Sequence, residues 1–289
     1  MKFFRLSILA ASFLFLVNII GFIDTMTNSA MGCGSGYPLC NGSIFPDFSD
    51  YHSVIEYTHR IVVGGASILL FVVSAIAWKK YKTPKMKFLA LLAILGILGE
   101  STLGALTVMV HLSHLLLAAH LGIALISFSA LVNIAYGIYC EEKNIIHPKK
   151  VPSSFSVFSW FTFVFLYVAI YFGGYVAKTG SGGAFRGFPI PTEHFSDVGN
   201  AFWIDVIHRS FALGLVILFV IQMVLAKKYR NVRSDIYRFS QINLLFIILQ
   251  GLSGFLLIYS HLSLGSVLLH VSILSLLVGI QSIVCVQGR

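Results

Sequence analysis

The sequence predicts an all-α membrane protein with eight transmembrane helices, arranged as two tandem, parallel-related four-helix bundles. Three observations lead to this class. The 289-residue chain is 57% hydrophobic and only 11% charged, with a mean hydropathy of +0.87. Eight apolar runs reach the roughly 18 residues that a membrane-spanning helix needs. A short polar sequence motif, called here the repeated phrase, also occurs twice, and histidines follow its two copies at matching distances.

The apolar runs do not alternate in hydrophobicity, so they predict helices, which satisfy their own backbone hydrogen bonds in lipid, rather than barrel strands. The first run begins with Lys2 and Arg5, as a signal peptide does, but it is long enough to span and has a counterpart in the second half. We therefore expect it to be retained. The expected spans are about 6–23, 55–77, 87–110, 114–139, 156–177, 204–226, 240–259 and 264–286.

The net charge of +9 does not indicate a nucleic-acid partner, because its distribution follows the spans. Sixteen of the twenty lysines and arginines fall at the two termini and in alternate loops, at Lys2/Arg5, 79–87, 143–150, 227–238 and Arg289. This is the positive-inside pattern, which places both termini in the cytoplasm of a multi-pass cell-membrane protein. The lipid bilayer is thus the first expected partner.

The repeated phrase divides the chain into two similar halves. Residues 55–60 read IEYTHR and residues 204–209 read IDVIHR, so that His59 and His208 are 149 residues apart. Three further pairs are each 150 residues apart: Gly104 and Gly254, His111 and His261, and His120 and His270. A duplicated four-helix unit explains this spacing. We expect halves at 1–140 and 156–289, joined by a polar cytoplasmic linker at 141–155.

Four histidines are the candidate ligands: His59, His120, His208 and His270. All four fall in the outer third of their predicted spans, where an imidazole is costly unless it is paired or coordinating. Two facing imidazoles between the helices of a bundle suit a porphyrin iron, whereas zinc needs three or four converging ligands. The sequence therefore predicts two haem irons, one held by His59 and His120 and the other by His208 and His270.

Several polar residues near these ligands have more than one interpretation. Arg60 and Arg209 either bind haem propionates or reach out to the lipid headgroups. His111 and His261 lie at the outer turns, where they either approach the haem edges or cap helix ends. Glu56 lies on the same helix face as His59 and could accept a proton beside a bound substrate, and its counterpart is the shorter Asp205.

Two further features distinguish the halves. Glu100 stands in the third span where the second half has Gln250, and we assign it no role. Cys33 and Cys40 lie in the first outer loop, where an oxidising compartment permits a disulfide, and the second outer loop has no cysteine. Cys140 and Cys285 lie at cytoplasmic helix ends and are expected to be free thiols.

With these residues assembled, the chain resembles the haem A synthase family of bacteria and mitochondria over nearly its whole length. In the first half the resemblance rests on CGSGYPLCNG at 33–42, EYTHR at 56–60, LGAL at 103–106 and HLGIALISF at 120–128. In the second half it rests on GYVAKTGS at 174–181, on His208-Arg209 and on His270. The chain departs from the family pattern at Asp24-Thr-Met-Thr-Asn and at Glu100, where glutamine is usual.

The resemblance implies that haem O is oxidised to haem A for cytochrome oxidase, a porphyrin methyl becoming a formyl group. It implies a haem b on His208 and His270, a substrate haem on His59 and His120, and Glu56 as the catalytic carboxylate. It also implies that Cys33 and Cys40 form a disulfide or take part in electron transfer.

The resemblance leaves some partners and some alternatives open. A haem O-producing farnesyltransferase and an electron acceptor are the expected protein partners, and the sequence is compatible with an oligomer. The alternative is a two-haem transmembrane cytochrome that carries electrons without modifying haem. A transporter with parallel repeats is less well supported, because no broken helix marks a midplane site.

Overall fold

The computed structural model describes residues 1–110, 114–145 and 151–288, without the side chains of residues 114, 115, 117 and 118. Within these residues, eight helices are long and apolar enough to cross a membrane, and no β-strand is formed. The predicted all-α, eight-span class is therefore confirmed. The helices are α1 Lys2–Met26, α2 Tyr51–Ile76, α3 Pro84–Met109, α4 His114–Glu142, α5 Ser153–Thr179, α6 Asn200–Lys227, α7 Ser234–Tyr259 and α8 Leu264–Gln287.

Local chemistry explains where several of these helices begin and end. The Asp50 carboxylate accepts the free N–H groups at the start of α2, and Thr83 does the same for α3, which has Pro84 in its first turn. Gly180 ends α5 with a φ of +69°, a left-handed conformation that glycine adopts without strain. A π-helical turn, Ala77–Tyr81, extends α2 beyond its predicted end.

The chain forms two compact units, Met1–Ile145 and Ile146–Arg289. In the first unit, α1 packs against α2 and α4, and α3 packs against the same two helices. In the second unit, α5 and α7 each pack against α6 and α8. Each unit is thus a ring of four helices, in which the even-numbered helices face each other diagonally.

The outer faces of both rings are built from large apolar side chains. Ile68 and Leu95 in the first unit, and Val157 and Leu213 in the second, are each more than half exposed. Such surfaces are stable only in contact with lipid, since water would be ordered around them. Burial and hydropathy together make this a multi-pass membrane protein.

The second unit has a buried polar cluster at its centre, which joins all four of its helices. Gln281 on α8 accepts hydrogen bonds from Gln222 Nε2 on α6 and Asn243 Nδ2 on α7, both 2.8 Å long. Its own Nε2 donates to the Ser159 carbonyl on α5 at 3.0 Å and to Gln222 Oε1 at 2.9 Å. In an apolar interior these amides have no water to replace a lost partner, so the cluster fixes the register of the helices.

The first unit has no such cluster at the matching positions. Leu131 and Ala93, which lie 150 residues before Gln281 and Asn243, are both fully buried and apolar. The closest helix contact here is made by small groups: the Ser127 hydroxyl donates to the Ala93 carbonyl at 3.0 Å, and Gly96 lies against Ser127. At this depth the first unit is therefore held by apolar packing and the close approach of α3 and α4, without an amide cluster.

We predict that Gln281→Leu destabilises the second unit. The change removes four hydrogen bonds, each worth about 0.6 kcal/mol between membrane helices, so the expected loss is about 2 kcal/mol. Unfolding of the detergent-solubilised protein by a denaturing detergent measures it. Gln241→Leu is the matched control, because Gln241 lies on the outside of α7; equal effects of the two substitutions would contradict a role for the cluster.

Candidate functional site

The four candidate ligands form one pair in each unit. His59 on α2 and His120 on α4 lie on diagonal helices of the first ring, and their imidazoles are close enough to interact electrostatically. His208 on α6 and His270 on α8 have the same relation in the second ring. The structure therefore brings together the residues that sequence spacing paired.

Each of these histidines lies against a glycine of the helix that precedes its own. A methyl group added at Gly21 or Gly173 would be 3.2 Å from the ring of His59 or His208, respectively. At Gly104 the distance to the His120 ring would be 3.4 Å, and at Gly254 the distance to the His270 ring would be 3.8 Å. The glycines on α1, α3, α5 and α7 thus leave room for the imidazoles.

The ring nitrogens differ in their partners. His270 has two: Ser253 Oγ lies 2.9 Å from Nδ1, and Gln250 Nε2 lies 2.9 Å from Nε2. His59 Nδ1 lies 3.6 Å from the buried Asp24 carboxylate of α1. The Nδ1 atoms of His120 and His208 are buried, and neither has a hydrogen-bond partner among the described residues.

This arrangement fits an iron porphyrin with two axial histidines. Each ring of helices provides one imidazole from each of two diagonal helices, and glycines keep the sides of these imidazoles free of bulk. Buried imidazole nitrogens without partners are costly in an apolar interior, and a metal relieves that cost. No group of three or more potential metal ligands converges within the described part of the chain, so a two-ligand site is what the geometry offers.

The arginine that follows the first histidine of each unit clamps an outer loop to its helix. Arg60 pairs with Glu56 one turn earlier and donates from Nη1 to the carbonyls of Pro38 and Leu39, at 3.2 and 3.1 Å. Both groups of this pair are largely buried. The clamp accounts for the repeated acidic-x-x-His-Arg phrase without reference to lipid headgroups.

The second unit repeats the clamp with one difference. Arg209 Nε pairs with Asp205 Oδ2 at 2.5 Å, and Nη1 donates to the carbonyls of Gly187 and Pro189 at 2.5 and 2.9 Å. Its Nη2 is buried and has no hydrogen-bond partner in the described residues. One donor of Arg209 therefore stays available for a carboxylate such as a haem propionate.

The loop of the first unit is also tied to Glu56 and closed by a disulfide. Cys33 and Cys40 are bonded, and the Cys33 N–H donates to Glu56 Oε2 at 2.7 Å. The loop lies directly on the start of α2, since a methyl group at Gly32 would be 2.4 Å from the His52 backbone. Glu56 thus binds the loop with one carboxylate oxygen and Arg60 with the other.

The aqueous end of α2 is capped by a second carboxylate, that of Asp50. The Ser53 hydroxyl and the His52 N–H both donate to Asp50, and these hydrogen bonds hold the pKa of that carboxyl below its ordinary value. Because the carboxylate stays ionised at neutral pH, the start of α2 remains capped.

Comparison with known proteins identifies the family. A family model described as cytochrome oxidase assembly protein matches residues 4–279. The chain belongs to this family. It is 34% identical to the heme A synthase of Bacillus licheniformis over 95% of this chain and 92% of that protein.

Two further relatives carry the same name and match this chain at similar identity. The heme A synthase of Bacillus pumilus is 31% identical, with 97% of this chain and 93% of that protein covered. The heme A synthase of Staphylococcus carnosus is 31% identical over 93% of this chain and 88% of that protein. The matches span both four-helix units.

Of the two weaker histidine candidates, His261 does not join the pair of its unit. His261 is exposed at the turn between α7 and α8 and has a φ of +51°, which places it at a helix end. His111 lies outside the described residues. Glu100 is buried on α3, and one of its oxygens has no hydrogen-bond partner among the described residues.

Sequence reasoning missed several residues that contact the histidines. Gly104 and Gly254 mark matching positions in the two halves, but nothing in the sequence indicates that they, or Gly21 and Gly173, contact the histidines. Asp24 stood out as a departure from the family pattern, but nothing in the sequence placed it beside His59. Ser253 gave no signal, since a single serine is common in membrane helices.

We predict that Gly173→Ala lowers the haem content of the purified protein by about tenfold or more, a typical effect of changes next to a metal ligand. The new methyl group displaces His208, whereas alanine itself favours a helix over glycine by about 1 kcal/mol. A pyridine haemochrome assay measures the haem-to-protein ratio. Gly251→Ala is the control, since no heavy atom lies within 4 Å of a methyl group there; equal haem loss in both variants would contradict the steric explanation.

Proposed function

We propose that this protein is a haem A synthase, a membrane oxidoreductase that converts haem O to haem A by oxidising a porphyrin methyl group to formyl. The observation that carries the proposal is that relatives bearing the name heme A synthase match 93–97% of the chain. The paired imidazoles of the two units supply sites for the haems that this reaction needs. The product serves cytochrome oxidase assembly, in keeping with the family.

The two units take different roles in this proposal. The first unit, with His59 and His120, binds the substrate haem, and the second, with His208 and His270, holds a resident haem b. The asymmetry of their surroundings supports this division. Arg209 Nη2 has no hydrogen-bond partner among the described residues and is available for a propionate. In Arg60 both Nη atoms are engaged, Nη2 by Glu56 and Nη1 by two carbonyls of the Cys33–Cys40 loop.

The haem iron supplies the oxidising chemistry, which side chains alone do not provide. The protein orients the ring between two imidazoles, excludes water through its apolar helices and holds a carboxylate nearby. Glu56 lies one helical turn before His59, on the same face of α2. Each of its oxygens already accepts one hydrogen bond, and each retains a lone pair that can take a proton from the substrate.

The positive-inside distribution of lysine and arginine supports cytoplasmic termini and an outer position for both haem sites. The disulfide-bonded loop then lies on the oxidising side of the cell membrane. A haem O-producing farnesyltransferase is the class of enzyme that must supply the substrate, and an electron acceptor completes the oxidation.

The direct test is the chemical identity of the pigment. We expect membranes that contain the protein and are supplied with haem O to accumulate formylated haem or its hydroxymethyl precursor, separated by reversed-phase chromatography and identified by mass. Unmodified haem alone, bound at normal stoichiometry, would contradict the synthase and favour an electron-carrying cytochrome.

We predict that Glu56→Gln lowers conversion by about 10²–10⁴-fold, because the amide cannot accept a proton. The haem b spectrum of the second unit should be unchanged, since Glu56 belongs to the first unit. Conversion is measured as formylated haem formed per protein, and Asp205→Asn makes the same chemical change in the second unit.

Arg60→Gln separates the two roles of Glu56. This substitution breaks the clamp on the outer loop but leaves the carboxylate in place. If Arg60→Gln lost as much activity as Glu56→Gln, the carboxylate would be needed only to hold the loop.

A further inference from the structure

The two contacts of the Ser253 hydroxyl indicate the direction of its hydrogen bond with His270. The hydroxyl donates its only proton to the Gln250 carbonyl at 2.8 Å. Toward His270 Nδ1, 2.9 Å away, the same oxygen then acts as an acceptor. In this arrangement Nδ1 carries the imidazole proton.

The tautomer of His270 follows from that direction. A neutral imidazole has one N–H, so Nε2 carries the lone pair. Gln250 Nε2 donates to this lone pair at 2.9 Å, while the other end of the same amide, Oε1, is buried and has no hydrogen-bond partner in the described residues. Nε2 is therefore the nitrogen that would hold a metal, in place of its hydrogen bond from the Gln250 amide. The Ser253 contact to Nδ1 would not have to change.

The first unit lacks this arrangement at the equivalent positions. Residues 100–104 read ESTLG and residues 250–254 read QGLSG, so Leu103 stands where the second unit has Ser253. Leucine cannot accept a hydrogen bond, and His120 Nδ1 is buried without a partner among the described residues. His120 does have the Glu100 backbone of α3 as a polar neighbour, but no side chain in the described part of α3 accepts a proton from its Nδ1.

We propose that Ser253 is a positioning residue that fixes His270 with Nε2 ready for iron, and that the Ser253/Leu103 difference makes the second unit retain its haem while the first exchanges it. The inference rests on the proposed function. A hydrogen-bonded partner on the ring nitrogen that does not bind the metal raises the basicity of a metal-ligating histidine and restricts its rotation. A unit that binds a substrate and releases a product needs a ligand without that restraint.

The test is haem transfer from the detergent-solubilised, haem b-loaded protein to excess apomyoglobin, followed by absorbance. Ser253→Ala should release haem from the second unit about 10–100-fold faster, the usual effect of losing such a partner. The midpoint potential of that haem should also shift to a more positive value, since a less basic ligand stabilises ferric iron less. Ser253→Thr keeps the acceptor oxygen and should restore both properties.

Two further variants make the experiment decisive. Ser240→Ala removes another buried serine of α7, one that bonds only to the Ile236 carbonyl, and should leave both properties unchanged. Leu103→Ser adds the missing acceptor in the first unit, and haem bound there should be released more slowly.

The outcomes separate the inference from the proposed function. Wild-type release rate and potential in Ser253→Ala would overturn the inference, as would equal effects of Ser240→Ala, while formylated haem would still be produced. A wild-type protein that binds no haem in the second unit would overturn both.

Discussion

The structure depends on how imidazole nitrogens are satisfied inside a lipid-facing bundle. An imidazole has two ring nitrogens, and the apolar interior offers no water to either. Each unit provides one histidine with a polar neighbour at Nδ1 and one without: His59 has Asp24, and His270 has Ser253. The Nδ1 atoms of His120 and His208 are buried without a hydrogen-bond partner among the described residues, so the balance of satisfied and unsatisfied nitrogens is the same in both bundles.

The two units share the contacts that hold their loops and helices in place, and they differ in a few polar residues near the histidines and in the outer loop. Both units have the arginine–carboxylate clamp on the outer loop, and both have a glycine beside each histidine. The ends of α1 and α5 also match, with Thr27 bonded to Ser29 and Thr179 bonded to Ser181. The disulfide, Asp24 and Ser253 are each present in one unit only. Two of these unmatched residues, Asp24 and Ser253, lie beside candidate ligands, next to His59 and His270.

Most of the framework could be predicted from the sequence, because its signals are periodic or repeated. Hydropathy located all eight helices, and the offset of about 150 residues matched His59 with His208 and His120 with His270. The similar depth of the histidines within each half then predicted the pairs His59/His120 and His208/His270. The contacts of Arg60 and Arg209 could not be predicted, because the carbonyls they bind are made available by the path of a loop. Arg60 donates to the backbone carbonyls of Pro38 and Leu39. Both sequence interpretations expected a partner outside the protein chain, either a haem propionate or a lipid headgroup.

The amide cluster around Gln281 has a consequence for motion. Helices joined by directional hydrogen bonds cannot slide past one another unless several amides lose their partners together. At the matching depth the first unit has Leu131 and Ala93, whose side chains form no hydrogen bonds. There the first unit resists sliding mainly through side-chain shape, whereas the second also resists it through directional bonds among four helices.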